Sequence, residues 1–247
     1  YFYCINQKNL CIYVLLTFMK AILLHHAGGD KYVFRNLQQA LLPEIESLSF
    51  ELPGRGDRFS ERFVVSLEDA VNNIYTQLTN ENINDFIVVG NSMGAIIAFL
   101  LVHKLKQANH PLPKHLFLAS RLSPDAYKNE PNVIGIPSDD FWKVVQQYDG
   151  VPEGLLAHKE LREFYEPVLR SDFELLQHFN QAFKQIEALN MPTSILFGDK
   201  DTRNVDMEKM QGWQKFFTNA IDIIPFEGRH FFLYENEEVP NYIKSKV

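Results

Sequence analysis

The 247-residue chain reads as an α/β protein: a mostly parallel central sheet flanked by helices, with a helical lid inserted late in the chain. Three observations predict this. Short apolar runs alternate with longer segments of helical periodicity, the pattern of parallel strands joined by crossover helices. One run, "FIVVG" from Phe86, passes directly into "NSMGAIIAFL", so that a strand meets a helix at a serine. Between "HLFLAS" and "TSILFG" the alternation stops for roughly seventy residues, far longer than an ordinary connection.

Residues 1–18 stand apart. Their apolar run "LCIYVLLTFM" is too short to span a bilayer as a helix. Only Lys8 lies nearby, and no small-x-small cleavage site follows, so it makes a poor signal peptide. "MKAILLHHAGG" from Met19 is a natural opening for an α/β protein. Residues 1–18 are therefore expected to be a non-native or upstream extension, with an added β-strand or a membrane-associating segment as the alternatives. Residues 19–247 are expected to form a single domain.

Six strands are predicted, from Ala21 ("AILLHH"), Ser47 ("SLSFEL"), Phe86, His115 ("HLFLAS"), Thr193 ("TSILFG") and Ile221 ("IDIIPF"). Helices are predicted near 31–42, 67–80, 93–108, 205–218 and 235–245. The second rests on Ser66 as N-cap and on Leu67, Ala70, Val71, Ile74 and Leu78 at helical spacing. The insert, about residues 122–190, carries helical patterns over 138–148 and 159–189, the latter interrupted by Pro167. An insert of that length is expected to act as a lid that shapes a pocket.

Lys+Arg 24 against Asp+Glu 31 gives a net charge of −7, and no basic stripe stands out, which argues against a nucleic-acid partner. The two cysteines, Cys4 and Cys11, both precede Met19, so the rest of the chain offers neither disulfides nor cysteine-based metal sites. A reducing, cytoplasmic compartment fits this usage.

The chemistry centres on Gly90-Asn91-Ser92-Met93-Gly94, a G-x-S-x-G pattern in the strand-to-helix context that it requires. Glycines on either side remove side chains where the turn would clash, letting the Ser92 hydroxyl stand clear of the sheet. A serine needs a base to take its proton, and this architecture orders its partners Ser, then Asp or Glu, then His. "ILFGDKDTRNV" supplies Asp199 and Asp201 just after a strand, and "IIPFEGRHFFL" supplies His230 after the last one. The G-x-x-D spacing from Gly198 favours Asp201, with Asp199 in reserve. Singly, Asp201 reads equally as a helix cap and His230 as a surface residue; order and placement together point to a triad. For the oxyanion, the Met93 amide follows the nucleophile, and "HHAGGD" offers Ala27 as the second donor. His25 and His26 are expected to be positioning or core residues rather than bases.

Taken together, "HHAGGDKYVFRNL", "ELPGRGDRFSERF", "GNSMGA", "FGDKD" and "GRHFFL" resemble the type II (editing) thioesterases of nonribosomal peptide and polyketide synthesis, relatives of the mammalian medium-chain acyl-carrier-protein hydrolases. The resemblance runs from Ala21 to about residue 240 and includes "LREFYEPVLRSDFELL" in the insert. It implies an α/β-hydrolase core with a mobile helical lid, and hydrolysis of acyl groups stuck on the phosphopantetheine arm of an acyl or peptidyl carrier protein. It places the nucleophile at Ser92, the acid at Asp201, the base at His230 and the oxyanion amides at Ala27 and Met93. No metal or cofactor is implied, the phosphopantetheine belonging to the carrier; no membrane partner is expected, and a monomer is.

Two positions depart from the family's pattern. Asn91 stands where histidine is common, which is expected to alter pocket detail rather than abolish activity. "SRLSP" at 120–124 lacks a glycine expected after the serine, leaving substrate contacts there open. Arg55 and Arg58 in "PGRGDRF" could meet an acidic carrier or the pantetheine phosphate, or form local salt bridges. The rival functions are a carboxylesterase or lipase on free esters, and a carrier-binding module without activity.

Overall fold

The computed structural model describes residues 2–7, 10–15, 19–81, 83–126, 132–147, 151, 153–177, 186–201 and 206–247. Strands β1 (Phe2–Gln7) and β2 (Leu10–Leu15) pair antiparallel as a sheet of their own. The main sheet contains β3 (Met19–Leu24), β4 (Ile45–Phe50), β5 (Phe86–Asn91), β6 (Leu116–Ala119), β7 (Thr193–Gly198) and β8 (Asp222–Phe226). Its order is β4-β3-β5-β6-β7-β8 and every pairing is parallel. All six predicted strands are present. The chain leaves β3 toward one edge and returns to its other side as β5, so the order reverses between these two strands. Such a reversal opens a crevice at the carboxyl ends of the strands.

Side chains alternate across a pleated strand, and the two faces of the sheet accordingly pack different helices. Ile22, Leu24, Val88, Leu116 and Leu118 meet α2 (Leu67–Asn80) and α3 (Met93–Gln107). Ala21, Leu23, Ile87, Val89 and Phe117 meet α1 (Arg35–Leu41) and the C-terminal residues Leu233, Val239 and Ile243. Ser66 caps α2 as predicted, its Oγ accepting from the Asp69 amide at 3.0 Å. Such a cap is worth about 1 kcal/mol.

Among the described residues, three helices lie between β6 and β7: α4 (Ser138–Val145), α5 (Glu153–Ala157) and α6 (Lys159–Gln177). They have a small core of their own around Phe141, Trp142, Val145 and Phe173. Glu166 on α6 accepts from Trp142 Nε1 at 2.8 Å, and the Arg170 guanidinium lies 4.2 Å from the Phe141 ring. Pro167 does not interrupt α6, contrary to the sequence reading. Proline costs the Glu163 carbonyl its helical partner, but both residues are exposed, where water can take the amide's place. The predicted helical pattern over 178–185 lies outside the described residues.

The later helices are more broken than their periodicity implies. Within 205–218, α7 (Met207–Met210) gives way to a 3-10 turn, Gln211–Phe216, which buries Trp213 with its Nε1 donating to the Arg121 carbonyl at 2.8 Å. The helix predicted near 235–245 is present as a shorter one, α9 (Glu238–Lys244), preceded by a single turn, α8 (Phe232–Glu235). Likewise, 31–42 opens with a 3-10 turn over Lys31–Phe34 before α1. No helix among the described residues is long and apolar enough to cross a membrane.

Candidate active site

Ser92 occupies the turn between β5 and α3 with φ 55° and ψ −111°, a conformation that non-glycine residues rarely adopt. Close packing holds it there. A Cβ on Gly90 would come 2.2 Å from the Gly94 carbonyl oxygen, and one on Gly94 would come 2.1 Å from that of Leu24. Both glycines are therefore demanded by backbone meeting backbone, and a bulkier residue at either would push the turn off the sheet. The Ser92 amide donates to the Ala119 carbonyl at 2.8 Å, tying the turn to β6. Met93 is the first residue of α3, so its N–H has no acceptor within the helix.

His230 follows β8, and its Nδ1 lies 2.7 Å from Asp201 Oδ2; both side chains are buried. An ionised carboxylate only accepts, so Nδ1 carries the proton and Nε2 keeps the lone pair. Asp199 is placed differently: its Oδ1 accepts from the Gly228 amide at 3.0 Å, bracing the loop that leads to His230. The structure thus separates the two aspartates that sequence spacing left open. Asp201 does not cap α7; Asp206 does, accepting from the Lys209 amide at 2.8 Å.

Ser92, His230, Ala27 and Arg121 all border one cavity of about 560 Å³. Its walls are largely apolar, with Val33 from the core and Val145, Leu155, Leu169 and Phe173 from the insert. The sequence-predicted residues Ser92, His230 and Ala27 are brought to the cavity, Asp201 stands behind His230, and Met93 lies buried beneath Ser92. Among the described residues no group of three or more His, Cys, Asp or Glu side chains is arranged to hold a metal ion.

His25 and His26 both form hydrogen bonds within the fold. Burial, reinforced by Arg55, lowers His25 to about 3, while its Nδ1 donates to the His26 carbonyl at 2.8 Å. Burial, with the neighbouring His25 and His230 rings, likewise brings His26 to about 3, so both rings are neutral near pH 7. His26 Nδ1 lies 2.6 Å from the Tyr234 hydroxyl, which accepts from Asn91 Nδ2 at 3.1 Å. Burial pushes the Tyr234 hydroxyl up, keeping it protonated and able to donate to His26. One phenol therefore joins the segments before Ala27, before Ser92 and after His230, and Asn91 is accounted for as its partner. No sequence signal pointed to Tyr234.

Arg55 and Arg58 are spent internally. Arg55 forms a two-pronged ion pair with Asp172 of α6, at 2.5 and 2.7 Å, and both residues are buried. Arg58 binds Glu61, Asn73 and the Glu51 carbonyl. The local salt-bridge reading of the "PGRGDRF" turn is therefore the one that these contacts support.

Comparison with known proteins gives the family and the fold. The thioesterase domain model matches residues 20–246. The chain is 28% identical to gramicidin S biosynthesis protein GrsT of Aneurinibacillus migulanus over 212 residues, 86% of this chain and 82% of that one. It is 26% identical to the human medium-chain S-acyl fatty acid synthase thioesterase, over 87% of this chain and 82% of that one. Among solved structures, ClbQ from the colibactin NRPS/PKS pathway superposes with a TM-score of 0.83 at 26% identity, covering 93% of this chain and 97% of that one. Because the thioesterase domain model spans residues 20–246, nearly the whole chain and all but the first residue of the main sheet, this chain belongs to the thioesterase family.

Proposed function

We propose that the protein is a type II, editing thioesterase that frees carrier proteins of acyl groups held on phosphopantetheine. Ser92 Oγ attacks the thioester carbonyl and passes its proton to His230 Nε2, while Asp201 stabilises the imidazolium. The amides of Ala27 and Met93 receive the oxyanion, an interaction worth a few kcal/mol of barrier in such sites. The tetrahedral species collapses, and the pantetheine thiolate leaves with the proton from His230. Thiols ionise near pH 8.5, so the thiolate is a good leaving group. Water, deprotonated by His230, then releases the acid and regenerates Ser92.

The observation that carries this reading is the Asp201–His230 bond beside a cavity shared with Ser92. The apolar walls suit an acyl chain, and the helices from α4 to α6, in a segment of about 122–190, act as its lid. Residues 1–18 lie outside the catalytic unit. The enzyme needs no cofactor of its own, works as a monomer, and suits the cytoplasm, both cysteines preceding Met19. The test compares hydrolysis of an acylated carrier protein with that of a free aryl ester. Faster turnover of the carrier is expected, and loss of activity in Ser92→Ala with carrier binding retained. Preference for the free ester would make the protein a carboxylesterase, and activity surviving in Ser92→Ala would remove the mechanism.

A further inference from the structure

Asp172 is fully buried, carries a charge, and belongs to the insert rather than to the sheet. Its Oδ2 accepts from the Gly28 amide at 2.7 Å as well as from Arg55. Gly28 has φ 79°, and a Cβ there would come 2.4 Å from Leu169 of α6. The loop bearing Ala27 thus rests directly on α6, one turn from its carboxylate. Leu169, Phe173 and Leu176 flank Asp172 in sequence and line the cavity. A single helix therefore walls the acyl pocket and grips the loop that offers the oxyanion amide. A buried ion pair is rarely a net gain in stability over apolar residues of similar size, so its presence calls for another reason.

We propose that Asp172, held by Arg55, is a positioning residue for the oxyanion hole. By fixing the Gly28 amide it orients the adjoining Ala27 peptide toward Ser92, and it makes that orientation depend on α6. Interactions of this kind act on the transition state rather than on ground-state binding. The inference rests on Ser92 as nucleophile and deepens that reading.

The experiment uses the full chain with octanoyl-N-acetylcysteamine as substrate and an alkyl trifluoromethyl ketone as inhibitor. In the inhibitor adduct Ser92 Oγ bonds the ketone carbon, its proton passes to His230, and the ketone oxygen becomes the oxyanion. Labelling of wild-type Ser92 by a fluorophosphonate, read by mass spectrometry, checks the underlying nucleophile separately; its failure removes both readings. The double variant Arg55→Met/Asp172→Leu removes both charges together and leaves the Gly28 amide without its acceptor. We expect kcat to fall about tenfold or more with KM within about twofold, and ketone affinity to fall by the same factor as kcat. A folded double variant with wild-type kcat and ketone affinity overturns the positioning role, as does a loss confined to thermal stability. Should the double variant not fold, Arg55→Leu/Asp172→Ala, which is less bulky and still leaves the Gly28 amide without a side-chain acceptor, is held to the same two readouts.

Discussion

The hydroxyl of Ser120 donates to the carbonyl oxygen of His230 at 2.7 Å. Ser120 is buried at the end of β6 with φ 55°, a strained position next to the equally strained Ser92. It holds the backbone of the histidine while Asp201 holds the ring. Ser120→Ala removes that bond, with an expected cost of about 1–2 kcal/mol in stability. A several-fold fall in kcat should accompany it, because near-attack geometry tolerates little drift. Thermal unfolding and steady-state hydrolysis read the two effects.

Under the proposed mechanism Asp201 and Asp199, which bond different partners, should differ in effect. Asp201→Asn leaves the ring of His230 without a carboxylate and favours the wrong tautomer, so kcat should drop roughly 10³-fold or more. Asp199→Asn keeps an oxygen for the Gly228 amide and should stay within about threefold of wild type. Equal losses in the two variants would contradict the assignment.

Gly94→Ala is expected to destabilise the fold by about 2 kcal/mol or more, because its Cβ would collide with the Leu24 and His25 carbonyl oxygens. Urea unfolding with an unchanged slope checks this. Surface Gly154, with open space around its Cβ position, should accept alanine without loss and serves as the comparison.

Acid should weaken the protein before its carboxylates titrate. His25 is lowered to about 3 in the fold by burial and by Arg55, against an unfolded value near 6.5. The unfolded chain therefore binds more protons between these values, and stability falls as pH drops through that window. At pH 5 this one residue accounts for about 2 kcal/mol. His26 acts in the same direction. Unfolding free energy measured from pH 7.5 to 4.5 should decline below about 6.5, and His25→Asn should flatten the slope.

Each of the six predicted strands of the main sheet was legible because its apolar run is bounded by turn residues. The second helix was legible from Ser66 and a clean periodicity, and it starts at Leu67 as expected. Helix breaks at Gln211 and Asn236 were not, since both follow from how Trp213 and Asn236 find hydrogen-bond partners elsewhere in the fold. Pro167 misled for a related reason: whether a proline ends a helix depends on whether water can reach the carbonyl that it orphans.

The residues of the proposed triad were readable as types and in order, because a nucleophile elbow needs its glycines locally and its partners at strand ends. Tyr234, Ser120 and Asp172 carried no such mark. Their parts come from contacts spanning 143, 110 and 144 positions of chain. Chain chemistry alone determined which backbone turns are possible and which side chains can move a proton. Only the folded packing decided which aspartate reaches His230, and that Arg55 turns inward to Asp172 rather than outward to a partner. Local sterics are written within a few residues; pairing of buried charges is settled by whatever distant group ends up within bonding distance once water is gone.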